Sequence, residues 1–158
     1  MKEMKPLTIQ QGVTDSEIAH LVALFSSKQL PKKMWTHEAH LTVGLWYVKH
    51  FGKEKATCLL RSGIITYNES VGTVNSPYGG YHETLTLFWV WVIDNFEKRN
   101  PETLFRELVN TFLDSAYAAR DLPLRFYSKS TLFSTEARAV WVRPDLCDLD
   151  FSLIPDAG

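Results

Sequence analysis

The sequence predicts an all-α fold, a single-domain bundle of about five helices with an irregular C-terminal tail. Three observations carry that expectation. Apolar residues recur at i, i+3 and i+4 through most of the chain, capping residues precede the periodic stretches, and no run alternates in the manner of a half-buried strand. The 158 residues are 45% hydrophobic and 13% aromatic, enough for one core without disulfides or metal.

The elements follow in order. Thr14 or Asp15 opens a first helix whose stripe Ile18, Leu21, Val22 and Phe25 runs to about Gln29, ahead of Pro31. Thr36 caps a second, with His37, His40, Leu41, Gly44, Tyr47, Val48 and Phe51 on one face and Gly52 as its stop. A third spans about Lys53 to Val71. Gly72 to Gly80, with Pro77 and three glycines, is a loop whose backbone can approach a site closely. The fourth helix, about Tyr81 to Lys98, is apolar nearly all round and therefore central. Asn100-Pro101-Glu102 starts a fifth that continues to about Ala119. Beyond Leu122, Ser128 and Ser134 each cap a short helical segment, and Trp141 to Leu146 forms an extended tail folded over the body. Residues 1–13 and 150–158 are expected to be loosely ordered.

Bulk charge narrows the partners. A net charge of −1 with no basic stripe argues against nucleic acid, and no apolar run is long enough to span a bilayer. The first residues lack the apolar stretch of a signal peptide, and Cys58 and Cys147 stand in no metal or redox spacing. Reduced, buried thiols in a cytoplasmic protein are the expectation. A homodimer through exposed helix faces is expected on general grounds.

Three of the five histidines stand at helix starts, in Thr36-His37-Glu38-Ala39-His40-Leu41 and Gly80-Tyr81-His82-Glu83-Thr84-Leu85-Thr86. A buried imidazole needs a partner for each nitrogen, so histidine opening an apolar stripe asks for an explanation. Three readings stay open. In the first, His37 and His40, three apart on one helical face, join His82 to bind a divalent metal such as zinc, iron or nickel, with Glu83 as a fourth ligand or as base for bound water. In the second, the pocket is metal-free: His82 is the catalytic acid or base, Glu83 orients it, and Tyr67, Asn68 and Tyr81 bind a small-molecule ligand. Arg138 pairs with Glu83, with an anionic ligand, or with a surface carboxylate. Hydrolytic or proton-transfer chemistry fits either. In the third, the histidines only tie helix ends to loop carbonyls, and the protein is a non-enzymatic ligand-binding or interaction module.

These two segments, with Phe133-Ser134-Thr135-Glu136-Ala137-Arg138 and Trp141-Val142-Arg143-Pro144-Asp145-Leu146, resemble a family of uncharacterised bacterial helical proteins. The resemblance runs from about Pro31 to Leu149, is most specific in the GYHETLT segment, and implies a bacterial origin with no established activity. The histidine pattern is also similar to the damage-inducible DinB-type bundles, which hold a metal with three histidines in a four-helix core. Those place two histidines four apart on a late helix, whereas His37 and His40 are three apart on an early one.

Overall fold

The computed structural model describes residues 12–101 and 103–155. It is all-α: seven α-helices and four short 3-10 turns, with one isolated bridge, Ser76 to Gly79, in place of any strand among the described residues. Helices α1 (Asp15–Ser26), α2 (His37–Phe51), α3 (Lys53–Ser70) and α4 (Glu83–Arg99) form the body, with α2 and α4 at its centre. Helices α5 (Phe105–Leu113), α6 (Lys129–Leu132) and α7 (Thr135–Ala139) follow.

Capping chemistry sets most of the starts. The hydroxyls of Thr14, Thr36, Ser128 and Ser134 accept the N–H groups of Glu17, Ala39, Thr131 and Ala137, each relieving one orphan donor of a first turn. Helix α1 stops at Ser26, short of Gln29. Lys28 adopts φ +62°, and the N–H groups of Gln29 and Leu30 both turn back to the Leu24 carbonyl at 2.8 and 3.1 Å. Gly52, at φ +78°, separates α2 from α3 without a linker.

The fifth helix is shorter than Asn100-Pro101-Glu102 suggested. Asn100 to Thr103 closes as a turn, Leu104 is extended at φ −57°, ψ 140°, and α5 begins only at Phe105. It ends at Leu113, and the 3-10 turns Ala116–Ala118 and Leu122–Arg125 bring the chain back toward α2. This return matters, because it delivers Ala118 and Arg120 to the start of α2.

Close helix contact depends on small residues. A Cβ on Gly44 of α2 would stand 2.8 Å from Ile93 Cδ1 of α4, and one on Gly63 of α3 would stand 3.3 Å from the Phe25 ring of α1. The extended tail lies over α4 as expected. Thr84 Oγ1, fully buried, donates to the Val140 carbonyl at 2.8 Å and accepts the Val142 N–H at 3.1 Å, and Tyr127 Oη donates to the Val142 carbonyl at 2.6 Å.

Two expectations change. Val13, Phe151 and Ile154 belong to the core, so the described part of each end is packed; residues 1–11 and 156–158 lie outside the described residues. Val13 is also clamped by Asn110, which accepts its N–H and donates to its carbonyl. The thiols of Cys58 and Cys147 are exposed, not buried. Among the described residues no helix is long and apolar enough to cross a membrane.

Candidate ligand pocket

A cavity of about 580 Å³ opens between the N-terminal half of α2, the C-terminal half of α3 and the first half of α4. That size suits a small organic ligand. Leu41, Leu60, Ile64, Leu85, Val90 and Ile93 give it an apolar floor, and Trp35 and Trp89 add aromatic walls. Its polar lining includes His37, His40, His82, Asn68 and Tyr81, so the two histidine segments of the sequence do meet at one cavity.

They do not meet as a metal site. His37 Nε2–H donates to the Ala118 carbonyl at 2.8 Å, His40 Nδ1–H to the Thr36 carbonyl at 2.7 Å, and His82 Nε2–H to the Leu132 carbonyl at 2.8 Å. The three rings are aimed at three separate carbonyls. No group of three His, Cys, Asp or Glu side chains among the described residues is placed to hold a metal ion. The expected His37, His40 and His82 ligand set is corrected accordingly.

His82 also loses its expected role as acid or base. It is the N-cap of α4: its Nδ1 accepts the Leu85 N–H at 3.1 Å while Nε2 is spent on Leu132. Both nitrogens of the neutral ring are satisfied, which answers the demand of a buried imidazole. Burial lowers its pKa from the ordinary value, and the positive charge of Arg138 lowers it further, while the Leu132 carbonyl opposes them. The ring stays neutral and structural.

Glu83 is likewise committed. Arg61 grips it through Nε and Nη2, at 3.0 and 2.5 Å, and Tyr81 Oη donates to Oε2 at 2.5 Å. Burial pushes the Glu83 carboxyl up, but the bonds from Arg61 and Tyr81 together hold it below the usual range. A carboxylate so held is no base for a cavity water, and Glu83 is not part of the cavity lining. Tyr81, driven up by burial and by Glu83, keeps its proton. The sequence offered Arg138 as the partner of Glu83. Arg138 instead donates to the carbonyls of Gly80 (2.9 Å) and Tyr81 (3.4 Å), fixing the loop where it enters α4, and it does not line the cavity.

Tyr67 and Asn68 end α3 at the cavity wall. Tyr67 is wholly buried and spends its hydroxyl on the Leu30 carbonyl at 3.0 Å, so it serves as wall and not as a polar contact. Asn68 is more informative. Asn75 Oδ1 accepts the backbone N–H of Tyr81, which fixes that amide's orientation, and Asn68 must therefore present Nδ2 to it, at 2.9 Å. Asn68 Oδ1 is left with no partner among the described residues. Asn75 Nδ2 donates to the Ile65 carbonyl at 3.0 Å, completing a hub that shapes the whole loop.

His40 shares that property. With Nδ1–H pinned to Thr36, its Nε2 has no protein partner among the described residues, and the ring lies tilted against Trp35 with centroids 3.8 Å apart. It keeps contact with solvent, yet the cavity walls crowd it. Desolvation lowers its pKa below the ordinary histidine value, helped by His37 and Arg120 and opposed by the Thr36 carbonyl. The neutral ring presents an acceptor.

Sequence reasoning missed the cations. Lys32 and Arg120 both line the cavity, both are exposed, and neither has an ion-pair or hydrogen-bond partner among the described residues. No Asp or Glu among the described residues lines the cavity. Lys32 stands near Lys28 and Lys33 in a short group of charges without a motif, and Arg120 stands in an aperiodic segment that carries none either. Only the return of the chain after α5 brings it to α2. Trp35, which stands between the Lys32–Met34 turn and the Thr36 cap outside any helical stripe, stacks on Phe25 at 4.6 Å and holds a buried Nε1–H with no partner among the described residues.

Comparison with protein-family models, curated proteins and solved structures finds no match, so the chemistry of this cavity rests on its own geometry.

Proposed function

We propose that this protein binds a small organic anion with an apolar or flat body in the cavity between α2, α3 and α4. The observation that carries the reading is the charge pattern: two cations, Lys32 and Arg120, unpaired among the described residues, at a cavity that no described carboxylate lines. Exposed cations usually find a carboxylate or stay fully solvated. Placed at an apolar cavity, they favour an anion and set its orientation while the aromatic walls bury its body. The two exposed free thiols suit a reducing, cytoplasmic setting. A catalytic extension falls to His40, whose Nε2 is free to take a proton from a bound ligand; His82 and Glu83 are occupied elsewhere.

The test is a ligand-observed NMR titration of wild-type protein with paired probes of equal shape, benzoate against benzamide and indole-3-acetate against indole-3-acetamide. The carboxylates bind more tightly than the amides, and the difference shrinks as salt is raised. Equal or tighter binding of the amides would remove the anion from the proposal.

A further inference from the structure

Beside the buried Trp35 Nε1–H and the cations Lys32 and Arg120, the protein leaves two acceptors unused at this cavity. His40 Nε2 and Asn68 Oδ1 both accept hydrogen bonds, and neither meets a donor among the described residues. Each is fixed in that role by a bond on its other side. Thr36 holds the opposite nitrogen of His40, and the Tyr81 N–H, acting through Asn75, holds the opposite atom of Asn68. The two residues belong to different elements, the first turn of α2 and the last turn of α3, so the match is not a product of local sequence. Three hydroxyls of the lining are already used as donors. Tyr67 and Tyr81 donate to Leu30 and Glu83, and Thr86 donates back to the His82 carbonyl at 2.9 Å.

We infer that the anion taken by this pocket also carries a hydrogen-bond donor, an amino, amide or hydroxyl group, which pairs with His40 Nε2 and Asn68 Oδ1 while its negative group meets Lys32 and Arg120. The inference rests on the anion-binding reading and adds the ligand's other end. Its physical basis is the asymmetry of hydrogen bonding. An acceptor fixed against an apolar wall loses water when a ligand enters, and a ligand without a donor leaves it unpaired. The pocket thus selects against purely apolar acids, which the floor of Leu60, Ile64 and Ile93 alone would favour. Amino acids, hydroxy acids and amino- or hydroxy-substituted aromatic acids are the classes that carry both groups.

A calorimetric or NMR affinity series separates the possibilities: 4-hydroxybenzoate and 4-aminobenzoate against 4-methylbenzoate, with benzoate as the common core, on wild type and on His40→Phe and Asn68→Leu. The hydroxy and amino acids should bind wild type about fivefold or more tightly than the methyl acid, and that preference should shrink in each variant. If all the carboxylates bind and the methyl acid matches or beats the others, the donor inference is wrong and the anion reading stands. If no carboxylate binds wild type, the anion reading fails and takes the inference with it. The wild-type comparison decides the point even where a variant does not fold.

Discussion

His82 and His40 stand at neighbouring helix starts and do opposite work. His82 caps α4 with one nitrogen and holds the Leu132 carbonyl with the other, so His82→Ala removes a cap and orphans a buried acceptor. The expected loss is about 2–4 kcal/mol by urea unfolding. His82→Asn restores the cap and not the reach to Leu132, so it should recover roughly 1 kcal/mol of that. His40→Ala should cost less than about 1 kcal/mol, because the Thr36 carbonyl keeps the His40 backbone N–H at 3.0 Å. A larger loss at His40 than at His82 would overturn the division of labour. Both rings have folded-state pKa values below the unfolded value of 6.5, with the more deeply buried His82 carrying the firmer shift. The unfolded chain therefore binds more protons in this range, and the stability they contribute is present above pH 6.5 and lost as pH falls below it. Urea midpoints measured from pH 7.5 down to 5 should decline, and the decline should be shallower in His82→Asn. A midpoint that holds or rises on acidification contradicts the assignment.

At the scale of elements, the helix starts at Thr36, Ser128 and Ser134 were legible, since a capping hydroxyl ahead of an apolar stripe has few other uses. The start of α5 was not. The proline signal at Pro101 is local, and the extended backbone at Leu104 overrides it. The loop from Val71 to Tyr81 was legible as a loop close to a site, but not the reason it holds one shape. That reason is Asn75, whose amide bridges Asn68, Ile65 and Tyr81. Gly80 makes the hub feasible: its φ is +77°, and a Cβ there would stand 2.6 Å from both the Val74 carbonyl and Asn75 Oδ1. Gly72 has a similar φ of +76° and open space around it. Gly80→Ala should therefore cost about 2–4 kcal/mol and weaken ligand binding, while Gly72→Ala costs about 1–2 kcal/mol and leaves binding intact. Equal effects of the two substitutions in thermal melts would mean that backbone strain alone decides both.

For the molecule as a whole, the histidine clustering read from the sequence survives as a place, and its proposed chemistry changes. His37, His40 and His82 do line one cavity, because the helices they open pack side by side. Sequence spacing gave no sign of where each ring nitrogen would point, since Ala118 and Leu132 are 81 and 50 residues from their histidine partners. The cations carried no motif: Arg120 reaches the pocket through the return of the chain after α5, and Lys32 stands in the 3-10 turn Lys32–Met34 just ahead of α2. Their unpaired charge at a carboxylate-free cavity is the central claim. It is tested most directly by isothermal titration of benzoate into wild type and into Lys32→Gln/Arg120→Gln, with benzamide as control. Loss of about tenfold in benzoate affinity, with benzamide unchanged, is the expected result; benzoate binding undiminished in the double variant would contradict it.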